Sequence, residues 1–413
     1  MGRELSIIVL ARVLMSATRA LAAVVVPIYL ADEGFSALEL GALFAMVALV
    51  SAALSAAVGL LSDRIGRRVF LVVLPFFAAG AAVAYASSRD VAVLFVTAAL
   101  GSFGRGAGAG AGMVGPYQPA ESALTTEVTV LRRRNDAFGR LAFGSSVGAF
   151  AGGLLAVVAA SGHPHGAAAL AADRPAFLLM AGLAAAAGLA ALALREPPRG
   201  PVQVGKRRGV RFPRRSARLL YRLGLTNGVN GLAVGMFGPF ITYWLYRRYG
   251  VGAGEIGILF AVINLATAAS TLSAAGLARR FGLVRTVTAV RLAQAVLLVP
   301  IVLAPTFAVA GALYLLRMVL QRIGLPLRQS YVVAMADPRE RASVAALATL
   351  PSQAAMASSP LLAGYLLDSV SLEVPFELAA ALQFVNAVMF WTFFHRLPPE
   401  EEQAVPVEAD AVG

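Results

Sequence analysis

Gly59-Leu60-Leu61-Ser62-Asp63-Arg64-Ile65-Gly66-Arg67-Arg68 lies between two apolar blocks and reads as a tight, positively charged turn. Gly59 permits close helix packing, and Gly66 permits a turn with positive φ. Asp63 suits the cap of the helix that follows, where an anion is favoured beside the first turn. Arg64, Arg67 and Arg68 anchor the loop at lipid headgroups. The blocks on either side, roughly 38–61 and 69–88, are each long enough to cross a ~30 Å hydrocarbon core.

Blocks of this kind recur along the 413-residue chain. The others lie at roughly 5–30, 91–114, 140–160 and 175–194 in the first half. In the second half they lie at roughly 219–245, 254–277, 286–304, 306–326, 342–366 and 374–394. That makes twelve expected spans. Hydrophobic residues are 59% of the chain and charged residues 14%, against roughly a quarter charged in soluble domains. A water-soluble globule is excluded. An outer-membrane barrel is excluded as well, because its strands alternate over about ten residues rather than forming long apolar blocks.

The chain has no cysteine, so disulfides, thiolate metal sites and cysteine nucleophiles are absent. The net charge of +13 would suggest nucleic acid in a soluble protein. Here the basic residues cluster in short loops, so the expected partner is the lipid bilayer and not nucleic acid. Met1–Ala22 loosely resembles a signal peptide, but Arg12 and Arg19 interrupt its apolar run, so it reads as a retained first span.

Alternate loops carry Arg64/Arg67/Arg68, Arg132–Arg134, a central linker around Lys206–Arg208, Arg279/Arg280/Arg285 and Arg339/Arg341. The opposite set carries few basic residues beside Asp32, Glu33, Asp368 and Glu373. The positive loops belong in the cytoplasm, which puts both termini inside a multi-pass cell-membrane protein. The expected organisation is a bundle over 1–194, a basic cytoplasmic linker over 195–218, a second bundle over 219–396 and an acidic, solvated tail over 397–413. The halves also resemble each other. Gly276-Leu277 leads into Arg279-Arg280-Phe281-Gly282 as Gly59-Leu60 leads into Asp63–Gly66, and Arg317 in the tenth span answers Arg105 in the fourth.

The segment Gly59–Arg68 resembles the G-x-x-x-D-R-x-G-R-R/K signature of the major facilitator superfamily, with every position filled. The resemblance implies an all-α membrane fold of twelve helices in two pseudo-symmetric six-helix bundles, working as a secondary transporter and not as an enzyme. It also implies that Asp63 and Arg67 join a charge network with an acid at the inner end of helix 4 and with the start of helix 11. Glu127 is the first candidate for that acid and Asp136 the second. Arg105 with its glycine-rich run resembles a degraded copy of the superfamily's helix 4 motif, and Arg317–Gly324, including Gln321, preserves a similar arrangement. Gly144-Ser145-Ser146-Val147-Gly148-Ala149-Phe150-Ala151-Gly152-Gly153 resembles the antiporter motif of helix 5, with Ala149 where that motif has proline.

In this family's fold, helices 1, 4, 7 and 10 line the path. Arg12 and Arg19 share a face of the first, and Arg12 is near enough to the inner interface to snorkel. The expected substrate contacts are Arg19, Arg105, Asn227, Asn230, Arg317 and Gln321, with the asparagines equally suited to interhelical hydrogen bonding. No Asp or Glu is expected at comparable depth on these helices. Glu121 stands sixteen residues past Arg105, roughly 24 Å along a continuous helix, which puts it at the inner mouth opposite Arg328 as a gate pair. His163-Pro164-His165 falls in an outer loop without an acid cage, so no metal site is expected.

These features lead to a monomeric permease that moves a small solute by alternating access. An anionic organic substrate is favoured, since buried guanidinium forks suit carboxylate and phosphate. No cofactor is expected, and the coupling species, proton or ion, is left open. The alternative is a proton-coupled multidrug efflux antiporter. An intramembrane enzyme or a scaffold is the rival from another class.

Overall fold

The computed structural model describes residues 2–103, 115–130, 133–160, 169–196, 216–270, 280, 282–335 and 340–395. They form helices throughout: α1 (Arg3–Asp32), α2 (Ala37–Ile65), α3 (Arg67–Ser87), α4 (Val91–Gly101), α5 (Gln118–Val128), α6 (Arg134–Ala160) and α7 (Ala169–Leu192). There follow α8 (Ala217–Phe237), α9 (Ile241–Tyr249), α10 (Ala253–Ser270), α11 (Leu283–Val302), α12 (Phe307–Met335), α13 (Arg341–Ser369) and α14 (Val374–Phe394). Among the described residues, nine helices are long and apolar enough to cross a bilayer. Their outer faces carry bare apolar side chains, such as Phe143 and Val158, each 70% exposed, as lipid contact requires.

Contacts group the chain into two units. One holds Met1–Gln203, Met236–Leu265 and Pro360–Leu372; the other holds Val204–Gly235, Ala266–Ser359 and Glu373–Gly413.

In the first unit, α1 packs along α6 and α7, and α3 along α7 and α4. The α1–α6 contact is set by the glycines of the fifth span. Added Cβ atoms would come 3.2 Å from Val9 at Gly144, 2.9 Å from Ser16 at Gly148 and 2.8 Å from Ala20 at Gly152. Four-residue spacing keeps these glycines on one stripe, so the two backbones approach closely. The stripe is sealed by a hydrogen bond of 3.0 Å between the hydroxyls of Ser16 and Ser145. Gly153 faces another way: its added Cβ would lie 2.7 Å from the Gly257 carbonyl oxygen on α10.

Three expectations of local structure need correction. First, α2 continues to Ile65, so Asp63 sits in its last turn and does not cap α3, whose N-cap is Gly66. Gly66 does take positive φ, 122°. Gly59 is not crowded, since its added Cβ would meet Pro119 only at 4.0 Å. Second, the fourth span is not one continuous helix from residue 91. α4 stops at Gly101, and Ser102 adopts the left-handed conformation (φ 57°), its hydroxyl accepting a 2.8 Å bond from Ser51. Third, the seventh span breaks at Gly238-Pro239, after which α9 runs as a separate helix. A proline offers no amide donor and clashes with the preceding turn, so the dipeptide ends α8.

In the second unit, Val287, Ile323, Val344, Phe390 and Phe394 form a buried cluster. Beside it, Arg291 donates to Asn386 Oδ1 at 2.6 Å and lies 4.5 Å from the Phe390 ring centroid. Asn386 in turn donates to the carbonyl of Thr226. Thus α8, α11 and α14 are tied by one polar chain inside an apolar core.

Candidate functional site

The first unit buries a polar cluster built from two helical faces. Arg12 and Arg19 are two turns apart on α1 and project the same way. Gly115-Pro116 leads into Tyr117, the N-cap of α5, and Pro119 at the start of the helix presets its first turn. Tyr117 and Glu121 are therefore one turn apart. Arg12 Nε donates to Glu121 Oε1 at 2.8 Å, and Arg12 Nη2 donates to Oε2, so the guanidinium grips both carboxylate oxygens. Arg12 is 7% exposed and Glu121 only 1%. Burying either charge alone would cost several kcal/mol, about what a two-point pair can offset.

The Arg19 side chain is half-buried, and its guanidinium fills the space beside Gly115 that any side chain there would occupy. Its Cζ stands 5.8 Å from the Tyr117 ring centroid. A small cleft next to Glu121 is lined by Ile8, Met15, Leu71, Pro75, Tyr117 and Leu194. Its walls are apolar except where Tyr117 and Glu121 meet it, and the Tyr117 hydroxyl has no hydrogen-bond partner among the described residues.

The charged loop forms a second cluster. Arg67 Nη2 donates to Asp63 Oδ1 at 3.1 Å, and Arg67 Nη1 pairs with Glu127 at the far end of α5. The Arg67 amide donates to Glu196 at 3.2 Å, and Arg68 Nη2 to the Leu192 carbonyl at 2.5 Å. The turn between α2 and α3 is thereby tied to the ends of α5 and α7. Arg64 and Asp136 are exposed.

Of the expected substrate contacts, Arg317 is 2% exposed on α12, and Tyr314, one turn earlier on the same face, is 1% exposed. Gln321 lies one turn further on, half-buried. Asn227 donates to the Ala348 carbonyl at 2.7 Å and ties α8 to α13, the interhelical alternative of its two expected roles. Asn230 is half-buried on α8. Arg105, His163 and His165 lie outside the described residues, as does the side chain of Arg328. Glu121, placed by sequence reasoning at a charged mouth, is buried against Arg12, and Arg12 does not snorkel. The helix that carries Glu121 begins only at Gln118, so it is not continuous from Arg105. Sequence reasoning also missed Arg291 with Asn386. A lone arginine inside an apolar span was the available signal.

Among solved structures, the chain resembles a variant of the nucleoside transporter NupG, with TM-score 0.75 and 12% identity over 95% of this chain and 99% of that one. A bacterial homologue of the iron transporter ferroportin, inward-facing, gives TM-score 0.73 and 18% identity over 95% and 99%. A bacterial homologue of the human lysosomal transporter Spinster, inward-facing and occupied, gives 0.71 and 17% over 94% and 95%. A search of curated protein sequences found no match. The family model of the Major Facilitator Superfamily matches residues 8–225 and 223–412, nearly the whole length, and with its motif turn and membrane helices the chain belongs to that superfamily.

Proposed function

We propose that this superfamily transporter moves a small organic solute bearing a carboxylate or phosphate group, by alternating access across the cell membrane. The observation that carries this reading is the placing of two guanidinium groups on one face of α1, Arg12 gripping the Glu121 carboxylate and Arg19 standing beside the Tyr117 ring one turn away. Guanidinium forks match carboxylate and phosphate oxygens in geometry and charge. Arg317, buried with Tyr314 in the second unit, adds a third guanidinium of the same kind. In this reading the basic loops face the cytoplasm with both termini, and the first and second halves of the chain work as six-helix bundles. Asp63, Arg67 and Glu127 steady the cytoplasmic gate. The names of the similar structures span nucleosides and iron, so the substrate class is argued from the arginines and not from the fold.

Proteoliposomes loaded with a panel of carboxylate and phosphate compounds test it. Exchange of at least one such anion is expected, with Arg19→Gln weakening its binding at least tenfold. Binding of lipophilic cations alone, unchanged in Arg19→Gln, would overturn the reading.

The second reading, proton-coupled efflux of cationic drugs, is favoured by one specific observation: Glu121 is a buried carboxylate, the group such an exporter needs. The cluster sets two arginines, Arg12 and Arg19, near this one carboxylate, an excess of positive charge, which is why it ranks second. Cation binding lost in Glu121→Gln would reverse the order.

A further inference from the structure

In the second unit, the start of α8 presents a stripe of one helical face. Arg218, Tyr221, Arg222 and Leu225 lie three or four residues apart on it. From the body of the helix towards its start, an exposed Leu225 gives way to Tyr221, 70% exposed, and then to an exposed Arg218. Over about 10 Å the stripe passes from apolar to aromatic to cationic. A phospholipid leaflet meets a protein in the same order, with hydrocarbon first, then the interfacial belt, then phosphate.

The end of α14 marks the same level. Val385 and Val388 are bare on its outer face, and the exposed Trp391 stacks on His395 with ring centroids 5.3 Å apart. An aromatic closing an apolar stripe is the mark of the membrane interface. Arg222 Nη1 donates to the Phe393 carbonyl at 3.2 Å, and its Cζ stands 5.6 Å from the Phe393 ring centroid. Arg222 is thereby held at the level where α14 leaves the hydrocarbon.

The charge on this edge is one-sided. Among the described residues, neither Arg218 nor Arg222 has a carboxylate partner. Glu340, just before α13, accepts from the Ser216 amide at 2.9 Å and so answers the start of the helix. From Pro197 to Ala217 the chain carries seven Lys or Arg and no Asp or Glu.

We infer that the first turns of α8 seat an anionic phospholipid, with Arg218 and Arg222 on its phosphate and with Tyr221 and Leu225 against its glycerol and acyl region. Guanidinium forks match phosphate oxygens, and cations beside a membrane helix attract anionic headgroups. A zwitterionic headgroup would bring an ammonium to a surface that offers it no carboxylate. The site requires only that these helices lie in a bilayer, so it stands apart from the substrate class.

Thermal melts of the full-length protein in detergent, titrated with phosphatidylglycerol or with phosphatidylcholine, test it. A lipid held by the folded state raises the melting temperature by mass action. Phosphatidylglycerol is expected to act at lower concentration than phosphatidylcholine. Arg218→Gln should weaken that response roughly fivefold, and Arg218→Gln/Arg222→Gln should weaken it further. Arg285→Gln, which removes an exposed arginine at the start of α11, should respond as wild type does. Phosphatidylglycerol acting no better than phosphatidylcholine would overturn the site. An equal loss in Arg285→Gln would do so too, by showing diffuse attraction to the whole surface. Equal stabilisation by millimolar inorganic phosphate would replace the lipid with a free ion. Because Arg218 is exposed, its single variant keeps the test decisive if losing the Arg222 contact with Phe393 disturbs folding.

Discussion

The carboxylate of Asp368 holds the first turn of α2, accepting bonds of 2.9 Å from the Ala37 amide and 2.8 Å from the Leu38 amide. A helix start has unsatisfied amides and a positive dipole end, and Asp368 answers both from the last turn of α13. The helices can meet there because Gly41 lies against the Pro360 carbonyl and Gly364 against that of Ala37. Close by, Tyr246 of α9 donates to Asp32 at the end of α1, and Thr242 donates to the Ala23 carbonyl at 2.9 Å.

Asp368→Ala removes both acceptors and should cost about 1–2 kcal/mol of stability. Asp368→Asn should cost less, since its amide oxygen still accepts one bond. Thermal melting in detergent reads the difference. Equal melting temperatures for wild type and alanine variant would show the contact to be idle.

Asp63→Asn should impair transport while leaving membrane insertion and expression intact. The ion pairs of Arg67 are half-exposed on their acid side, with Asp63 at 48% and Glu127 at 43%, so each is worth less than about 1 kcal/mol. Melting should barely move. Arg67→Gln, which loses both partners, should reduce flux further than Asp63→Asn. Wild-type flux in Asp63→Asn would remove the gate role.

A side chain at Gly153 meets backbone, not a yielding side chain, with Ala261 N at 2.9 Å beside the Gly257 oxygen. Gly153→Val should force α6 and α10 apart and destabilise by about 1–3 kcal/mol or more. Gly182→Val, where an added Cβ meets nothing within 4 Å, is the control. Similar losses in both variants would show the crossing to be unimportant.

Arg291→Ala should cost about 2–3 kcal/mol, because the variant leaves Asn386 Oδ1 without the charged donor it has at 2.6 Å. Arg291→Met with Asn386→Leu should recover much of that loss by restoring an apolar interior. If anion exchange disappears in Arg291→Met while the protein stays folded, the residue serves transport and not merely packing.

The apolar spans were legible because a run long enough to cross a bilayer needs no tertiary context to be recognised. The glycines of α6 announced close contact in the same way, since four-residue spacing defines a stripe. Breaks inside spans were harder. Gly238-Pro239 carried a turn signal that the surrounding hydrophobicity masked. Nothing in the run of small residues after Leu100 marks Gly101 as a stop, because glycine and alanine serve close packing and bends alike. The Arg12 partner of Glu121 went unseen for that reason. The pairing depends on how α5 is aimed after the break, and a linear pattern does not encode aim. Asp63 shows the same limit at short range: a helix boundary two residues away separates a cap from an i,i+4 ion pair.

The glycine stripe also says which parts stay together. With Gly144, Gly148 and Gly152 set against the backbone of α1, the two helices have no side-chain cushion along which to slide. They are in effect one double-width strut, and Arg12 and Arg19 are bolted to it.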